Sequence, residues 1–167
     1  SSNQITIDVT QARAVTATCA RLYYVNDGAT ANDEWCTGTG SDVNDGMTPA
    51  TPMASIQNVI GTYDLEPGDR VRIDTGNYAL TNIQVTSADA GSAVAPVTFE
   101  ASPYGVTLDR TNTASGNYVW HLNGANYVTI RTATSTKYPS VPQSWMKVMR
   151  AYYGIYVTGT YGTLSRL

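Results

Sequence analysis

Four short stretches repeat one pattern of an apolar, a polar, an apolar and a charged residue: VRID at 71–74, VTFE at 97–100, VTLD at 106–109 and VTIR at 128–131. Alternation with a period of two is typical of a strand that buries one face. The first and second stretches begin 26 residues apart, and the second and fourth begin 31 apart. This spacing is typical of solenoid coils. We therefore predict strands of successive coils, with 106–109 on a different side of its coil.

The repeat also predicts which apolar side chains stack in the core. Neighbouring strands of a solenoid run parallel, about 4.8 Å apart, so equivalent residues of successive coils form inward columns. One column would contain Val71, Val97 and Val128, and the next would contain Ile73, Phe99 and Ile130. Further short strands are expected at 22–25, 83–85, 118–122, 146–148 and 154–157.

A single helix is predicted over residues 52–63. Pro52 suits the first helical position, where a missing N–H costs nothing, and Thr48 or Thr51 would cap the start. Apolar residues recur at helical spacing and form one stripe, which consists of Met53, Ile56, Val59, Ile60 and Tyr63. The first coil of a solenoid exposes an apolar end with unpaired strand edges. We expect the helix to cover that end.

The 167 residues are expected to form one all-β unit, a right-handed parallel β-helix with an N-terminal capping helix. Residues 1–22 would provide an N-terminal strand, at 5–10, and a linker. Residues 23–167 would form the β-helix segment, with a capping loop and helix at 23–69 and coils at 70–167. No amphipathic helix follows the last predicted coil, so we expect an open C-terminal end. Such an end would pair with further coils of the same protein or with copies of the chain.

Composition narrows the class of protein further. Charged residues make up 14% of the chain and the net charge is −3, which disfavours a sequence-independent hold on nucleic acid. No apolar run approaches the roughly 20 residues that a membrane-spanning helix needs. The 24 threonines and 15 valines, against two lysines and three glutamates, favour β-structure with a hydroxyl-rich surface. Secreted bacterial β-proteins often have this composition.

The two cysteines, Cys19 and Cys36, flank a loop rich in Asn, Asp, Gly and Thr. No CxxC motif or Cys/His cluster indicates metal or redox chemistry. We expect a disulfide, which would stabilise the fold by about 3 kcal/mol in the loop-entropy model. The alternative is a pair of buried thiols in a cytosolic protein.

Residues 23–78 resemble a known family. The stretches that carry the resemblance are YYVND at 23–27, GSDVNDGMTPATP at 40–52, ASIQ at 54–57 and LEPGDRVRIDTGNY at 65–78. They are similar to the opening of right-handed parallel β-helix proteins of the pectate-lyase-like superfamily, in particular to N-terminal segments of large secreted bacterial proteins. The resemblance implies the fold and an extracellular or cell-surface location. It leaves the activity open, because the superfamily contains polysaccharide lyases, glycosidases, adhesins and proteins without known activity.

Enzymes of this fold work from the outward face of their strands, and superposing the repeats places Asp74, Glu100 and Arg131 in one outward column. Two acids and a base in line would suit Ca²⁺ and an anionic sugar. The alternative is a solvated ladder of ion pairs worth under about 1 kcal/mol. For a glycosidase, Glu100 and Asp109 are the only acids on the predicted strand faces that lie near each other in the sequence. The only histidine, His121, should point outward, and no serine or cysteine partner is recognisable for a nucleophilic triad.

A second candidate is a metal site in the loop at 41–46. Asp42, Asn44 and Asp45 carry oxygen ligands of the kind that Ca²⁺ prefers, although the loop lacks the closing glutamate of an EF-hand. The alternative is a turn rich in Asp and Asn that leads to the helix.

A third candidate is an aromatic surface near the end of the chain. Tyr152, Tyr153, Tyr156 and Tyr161 lie close together in the sequence and would make a stacking surface for sugar rings or for a partner. The alternative is that alternate tyrosines fill the core while the others cover the edges of the coils.

Three functions are compatible with these features. The first is a structural, adhesion or carbohydrate-binding β-helix module of a larger bacterial surface or secreted protein. The second is a Ca²⁺-assisted polysaccharide lyase or another carbohydrate-active enzyme. The third is a self-assembling subunit of a fibre or tube. A cleft in which Asp74, Glu100 and Arg131 converge would favour the enzyme, and a flat face would favour the module.

Overall fold

A computed structural model describes residues 19–79 and 81–159. Within these residues the chain forms ten strands, one α-helix and one 3-10 turn. No helix of this part is long and apolar enough to cross a membrane. The N-terminal strand predicted at 5–10, the end of the last predicted coil and Tyr161 lie outside the described residues. The elements are β1 (Leu22–Val25), α1 (Ile56–Thr62), β2 (Arg70–Ile73), β3 (Gly76–Ala79), β4 (Ile83–Thr86), the 3-10 turn (Ser87–Asp89), β5 (Val97–Ala101), β6 (Val106–Asn112), β7 (Tyr118–Asn123), β8 (Val128–Thr132), β9 (Lys147–Ala151) and β10 (Tyr153–Thr158).

The ten strands form three parallel sheets. The first sheet has the order β1-β2-β5-β8, the second β3-β6-β9 and the third β4-β7-β10, and each pairing of these strands is parallel. From β2 onwards the chain visits the first, second and third sheets in turn, three times over. The described residues are therefore an all-β fold with parallel sheets and one helix, and the parallel pairing predicted from the repeats is confirmed.

Apolar side chains of all three sheets form one continuous core. Val97 lies opposite Val128, and Phe99 lies opposite Ile130, as predicted. The Phe99 ring also meets the edge of the fully buried Trp120 ring, with 5.0 Å between the ring centroids. Because edge-to-face contact is a favoured geometry for aromatic pairs, this contact joins the first sheet to the third.

The predicted register between β2 and β5 is wrong by two residues. Val71 lies opposite Phe99 rather than Val97, and Ile73 lies opposite Ala101. A shift of two residues leaves every side chain on the same face of its sheet, because the side-chain period of a strand is two. Alternation in the sequence therefore identifies the inward residues without fixing which of them are neighbours.

The helix begins at Ile56 rather than at Pro52 and ends at Thr62. Its cap is Ser55, whose side-chain oxygen accepts a hydrogen bond of 3.1 Å from the amide three residues later. The caps predicted at Thr48 or Thr51 are wrong for this reason. A serine at this position satisfies one of the amides that the first turn leaves without an intrahelical partner.

Met53 explains the late start of the helix. Its amide donates to the carbonyl of Tyr24, and its carbonyl accepts from the amide of Asn26, so Met53 forms a parallel bridge with Val25. The chain is therefore extended beside β1 at the position where the apolar stripe predicts helix. Of that stripe, the buried residues within α1 are Ile56, Val59 and Ile60.

The disulfide predicted between Cys19 and Cys36 is wrong. Both residues are free cysteines, Cys19 exposed and Cys36 buried. The amide of Cys36 donates a hydrogen bond of 2.6 Å to the buried carboxylate of Asp74, which holds Cys36 against the end of the first sheet. Burial raises the pKa of the Cys36 thiol far above its ordinary value, which disfavours the reactive thiolate form.

Candidate functional site

Asp74, the first predicted catalytic residue, is fully buried just beyond β2. Its two oxygens accept hydrogen bonds of 2.6 to 2.8 Å from the amides of Glu34, Trp35 and Cys36, and a further one from the next residue in the chain. The carboxylate thus fixes the loop at 33–36 against the sheet. Its hydrogen bonds among the described residues go to these amides and not to the other two predicted catalytic residues.

Glu100 and Arg131 are direct neighbours on β5 and β8, as predicted. Nη2 of Arg131 donates a hydrogen bond of 2.6 Å to Oε1 of Glu100. The residue opposite Glu100 on β2 is Arg72, which takes the place predicted for Asp74 because of the two-residue difference in register. Glu100 therefore has a guanidinium group on each side.

A third arginine completes a basic pocket on the outward face of the first sheet. Arg70 Nη1 and Arg72 Nε each lie 3.6 Å from Oε2 of Glu100. The guanidinium carbon of Arg72 is 4.8 Å from the centroid of the Trp35 ring, a distance at which cation–π attraction operates. We call Arg70, Arg72, Arg131, Glu100 and Trp35 the arginine pocket.

The predicted metal ligands Asp42 and Asn44 serve the loop in which they lie. Oδ1 of Asp42 accepts hydrogen bonds from the amides of Ala54 and Ser55, at 3.0 and 2.9 Å. Nδ2 of Asn44 donates to the carbonyl of Pro52 at 2.9 Å. Both side chains therefore tie the loop at 41–46 to the chain that leads into α1.

Asp45, the third predicted ligand, accepts from the amide of Met47 and from the hydroxyl of Thr51. These hydrogen bonds, that of Met47 first, lower the pKa of Asp45. No group of three or more His, Cys, Asp or Glu side chains that suits a metal ion occurs among residues 19–79 and 81–159. The geometry is that of a turn rich in Asp and Asn.

Aromatic rings line the outward face of the third sheet. The rings of Tyr153 and Tyr156 on β10 are stacked, with centroids 5.0 Å apart and an interplanar angle of 17°. His121 on β7 lies 4.7 Å from Tyr156 and 4.9 Å from Tyr118, and Tyr152 meets Tyr153 edge-on at 4.6 Å. We call Tyr118, His121, Tyr152, Tyr153 and Tyr156 the outer aromatic cluster.

The cluster is a surface and not part of the core. The exposed fractions of Tyr152, Tyr153 and Tyr156 are 52%, 41% and 37%. On β7, Trp120 and Leu122 are buried while His121 is half-buried, which confirms its predicted outward orientation. Three of the four tyrosines predicted to form a stacking surface are therefore together in it.

His121 adds a polar edge to this surface. Its Nε2 lies 2.9 Å from the hydroxyl oxygen of Thr158. Burial lowers the pKa of His121, which favours the neutral ring at neutral pH. A neutral imidazole both donates and accepts a hydrogen bond, so the cluster combines apolar faces with hydrogen-bonding groups.

The pair of acids proposed for a glycosidase is separated between two sheets. Glu100 is on β5 in the first sheet, whereas Asp109 is on β6 in the second. Arg150 on β9 donates to both oxygens of Asp109, and these hydrogen bonds lower the pKa of that carboxyl. A glycosidase needs one acid with a raised pKa, so Asp109 does not fit that role.

Asp33 is a buried acid that the sequence did not single out. It is 2% exposed and accepts a hydrogen bond of 2.7 Å from the side chain of Asn26. Its Oδ1 has no hydrogen-bond partner within the described part of the chain. Burial, followed by the charge of nearby Asp74, raises the pKa of Asp33 to about 7. An acid within a loop of turn residues gives no sequence signal of burial.

Comparison with known proteins does not assign the chain to a family. No protein-family model matches the chain, and the comparison with curated proteins finds no match. The candidate surfaces are therefore judged on their geometry and chemistry.

Proposed function

We propose that the chain is a right-handed parallel β-helix module, related to the pectate-lyase-like superfamily. The constant order in which it visits three parallel sheets supports this proposal, because one visit to each sheet makes one coil. The coils are then β2 to β4, β5 to β7 and β8 to β10. The similarity of residues 23–78 to the opening of such proteins supports it as well.

In this proposal α1 covers the N-terminal end of the solenoid. The helix packs on β1, β2 and β4, and both β1 and β4 are the first strands of their sheets. Its buried face contributes Ile56, Val59 and Ile60 to the core. The bridge between Met53 and Val25 occupies the outer edge of β1, where an unpaired strand would otherwise invite another chain.

We infer that the module binds carbohydrate on the outer aromatic cluster. The observation that carries this inference is the stacking of exposed Tyr153 on exposed Tyr156, in contact with His121. A tyrosine offers a flat apolar face for the C–H groups of a sugar ring and a hydroxyl for its polar edge. A row of such rings along a solenoid suits an extended chain of sugars better than a single small molecule.

The proposed setting is a larger secreted or cell-surface bacterial protein, in agreement with the hydroxyl-rich and charge-poor composition. The proposed partners are a polysaccharide and, at the end formed by β8, β9 and β10, further coils of the same protein or copies of the chain. Within residues 19–159 as described, each of these three strands has one parallel neighbour. Sedimentation of the purified chain separates the two cases, since copies that stack give species that grow with concentration.

Affinity electrophoresis through gels that contain soluble polysaccharides tests the carbohydrate inference. We expect at least one polysaccharide to retard the chain, and a Tyr153→Ala/Tyr156→Ala variant to lose roughly tenfold in affinity, since each aromatic contact is worth about 0.5–1.5 kcal/mol. The matched control is Tyr127→Ala, because Tyr127 is 46% exposed and outside the cluster. Equal retardation of the double variant and the unmodified chain would contradict the inference.

The alternative proposal is a Ca²⁺-assisted polysaccharide lyase. Glu100 and Arg131 are adjacent in the arginine pocket, but the carboxylate of Asp74 is buried and its oxygens are bonded to amides. Asp74, the acid predicted to share a cation with Glu100, is therefore not available for that role. We rank the binding module first for this reason.

A further inference from the structure

The arginine pocket carries more positive than negative charge. Its lining contains the guanidinium groups of Arg70, Arg72 and Arg131 and the carboxylates of Glu34 and Glu100. Glu100 is 6% exposed and receives contacts from all three arginines. Two carboxylates do not use all the donors of three guanidinium groups, each of which has five N–H donors.

Two of the three arginines are held in place before any ligand binds. Arg72 lies over the Trp35 ring, and Arg131 is hydrogen-bonded to Glu100. The Nε atoms of Arg72 and Arg131 are buried without a hydrogen bond to any described residue, and so is Oε2 of Glu34. The side chains of Arg70, Arg72 and Arg131 are 42%, 24% and 38% exposed, so part of each side chain stays open to an anion.

The dimensions of the pocket limit what it can hold. Its volume is about 230 Å³, below the roughly 300 Å³ at which pockets begin to enclose whole small molecules. The chain as a whole has a net charge of −3, so there is no broad positive field to attract a polyanion. The charge, the orientation and the size therefore all suit one anionic group at one place.

We propose that the arginine pocket is a binding site for a single oxyanion, a carboxylate or a sulfate group, free or carried on a sugar. Arg70 and Arg72 donate to its oxygens on the open side, and Glu100 holds the arginines apart and in register. Guanidinium groups match both carboxylate and sulfate oxygens because they offer parallel N–H donors. The site lies on the first sheet and does not depend on the outer aromatic cluster of the third.

Isothermal titration at constant ionic strength, with sodium sulfate, sodium acetate, galacturonate and neutral glucose as probes, tests this site. We expect saturable binding of at least one anion and none of glucose. Arg70→Gln should weaken that binding about tenfold or more, the effect of removing one charged hydrogen-bond donor. Arg150→Gln is the matched control, because this exposed arginine is paired with Asp109 on the second sheet.

The three anions also distinguish the sources of the oxyanion. Binding of sulfate alone identifies a tetrahedral anion, and tighter binding of galacturonate than of acetate identifies a carboxylate carried on a sugar. No saturable binding of any anion at millimolar concentration, or equal binding by the unmodified chain and Arg70→Gln, would overturn the proposal.

A second variant tests the role of Glu100. Glu100→Gln removes the internal negative charge, so we expect anion affinity to rise about tenfold and the anion to raise the melting temperature of the variant more than that of the unmodified chain. Sulfate also stabilises proteins in general, so the comparison is made against Arg150→Gln in the same salt. A rise in melting temperature equal to that of the control would count against the site.

Discussion

The carboxylate of Asp74 accepts a hydrogen bond of 2.6 Å from the amide of Cys36, 38 residues earlier in the chain. Two further amides of the same loop, those of Glu34 and Trp35, also point at this carboxylate. Trp35 in turn supports Arg72. A buried acid that resembles a catalytic residue in the sequence is thus the anchor of the loop beside the arginine pocket.

Asp74→Asn should lower the free energy of unfolding by at least about 3 kcal/mol, because hydrogen bonds to a charged group are worth about 1.5–3 kcal/mol each. The NH₂ group of the asparagine would also face backbone N–H groups, which are donors as well. Urea unfolding at neutral pH measures this loss. The matched control is Asp64→Asn, at an exposed position, which should change stability by less than about 0.5 kcal/mol. Equal stability of the two variants would disprove the anchoring role.

Asp33 should give the fold a pH dependence of definite sign. Its pKa of about 7 in the folded chain lies above the ordinary unfolded value of about 3.9, so the folded state binds a proton more tightly. Its contribution to stability is complete below pH 4 and is lost as the pH rises to 7. The stability of Asp33→Asn relative to the unmodified chain should therefore rise over this range, by up to about 4 kcal/mol for a shift of three pH units.

Urea unfolding of Asp33→Asn and of the unmodified chain between pH 4 and 8 measures this difference. Carboxyls with lowered pKa values, such as Asp45 and Asp109, contribute equally to both proteins and cancel in the comparison. Two stability profiles that stay parallel across the range would show that Asp33 does not titrate there.

Gly40 should tolerate no side chain. A Cβ at this position would collide with the carbonyl group of Asn26 and come within 3.0 Å of the Cα of Ala54, and neither backbone can move without breaking the pairing beside β1. We expect Gly40→Ala to destabilise the chain by several kcal/mol. Gly28→Ala is the matched control, because nothing lies within 4 Å of its Cβ position. Thermal unfolding of both variants gives the comparison, and equal melting temperatures would contradict the packing described.

The strands and their parallel pairing follow from the sequence because alternation is a local property. All the short strands expected from Leu22 to Val157 are present, and the neighbours Glu100 and Arg131 are predicted correctly. The predicted register between β2 and β5 is wrong, because the register depends on the length of the path between these strands and not on the alternation. Because of this difference, the neighbour of Glu100 on β2 is Arg72 and not Asp74. The predicted catalytic column is therefore replaced by the arginine pocket.

The remaining differences have a similar origin in long-range contacts. The role of Asp74 depends on amides about 40 residues earlier. The pairing of Met53 with Val25 keeps the chain extended at a position where the apolar stripe predicts helix. Tyr118 and His121 join the outer aromatic cluster only because β7 pairs with β10. No local pattern in the sequence contains this information.

The stacking register of the parallel strands is the claim on which both candidate surfaces depend. Nuclear Overhauser spectroscopy of the isotope-labelled chain measures it directly through the side chain of Phe99. We predict cross-peaks from the Phe99 ring to the methyl groups of Val71 on one side and Ile130 on the other. Cross-peaks to Ile73 in place of Val71, or a pattern of antiparallel neighbours, would contradict the register and with it the arginine pocket.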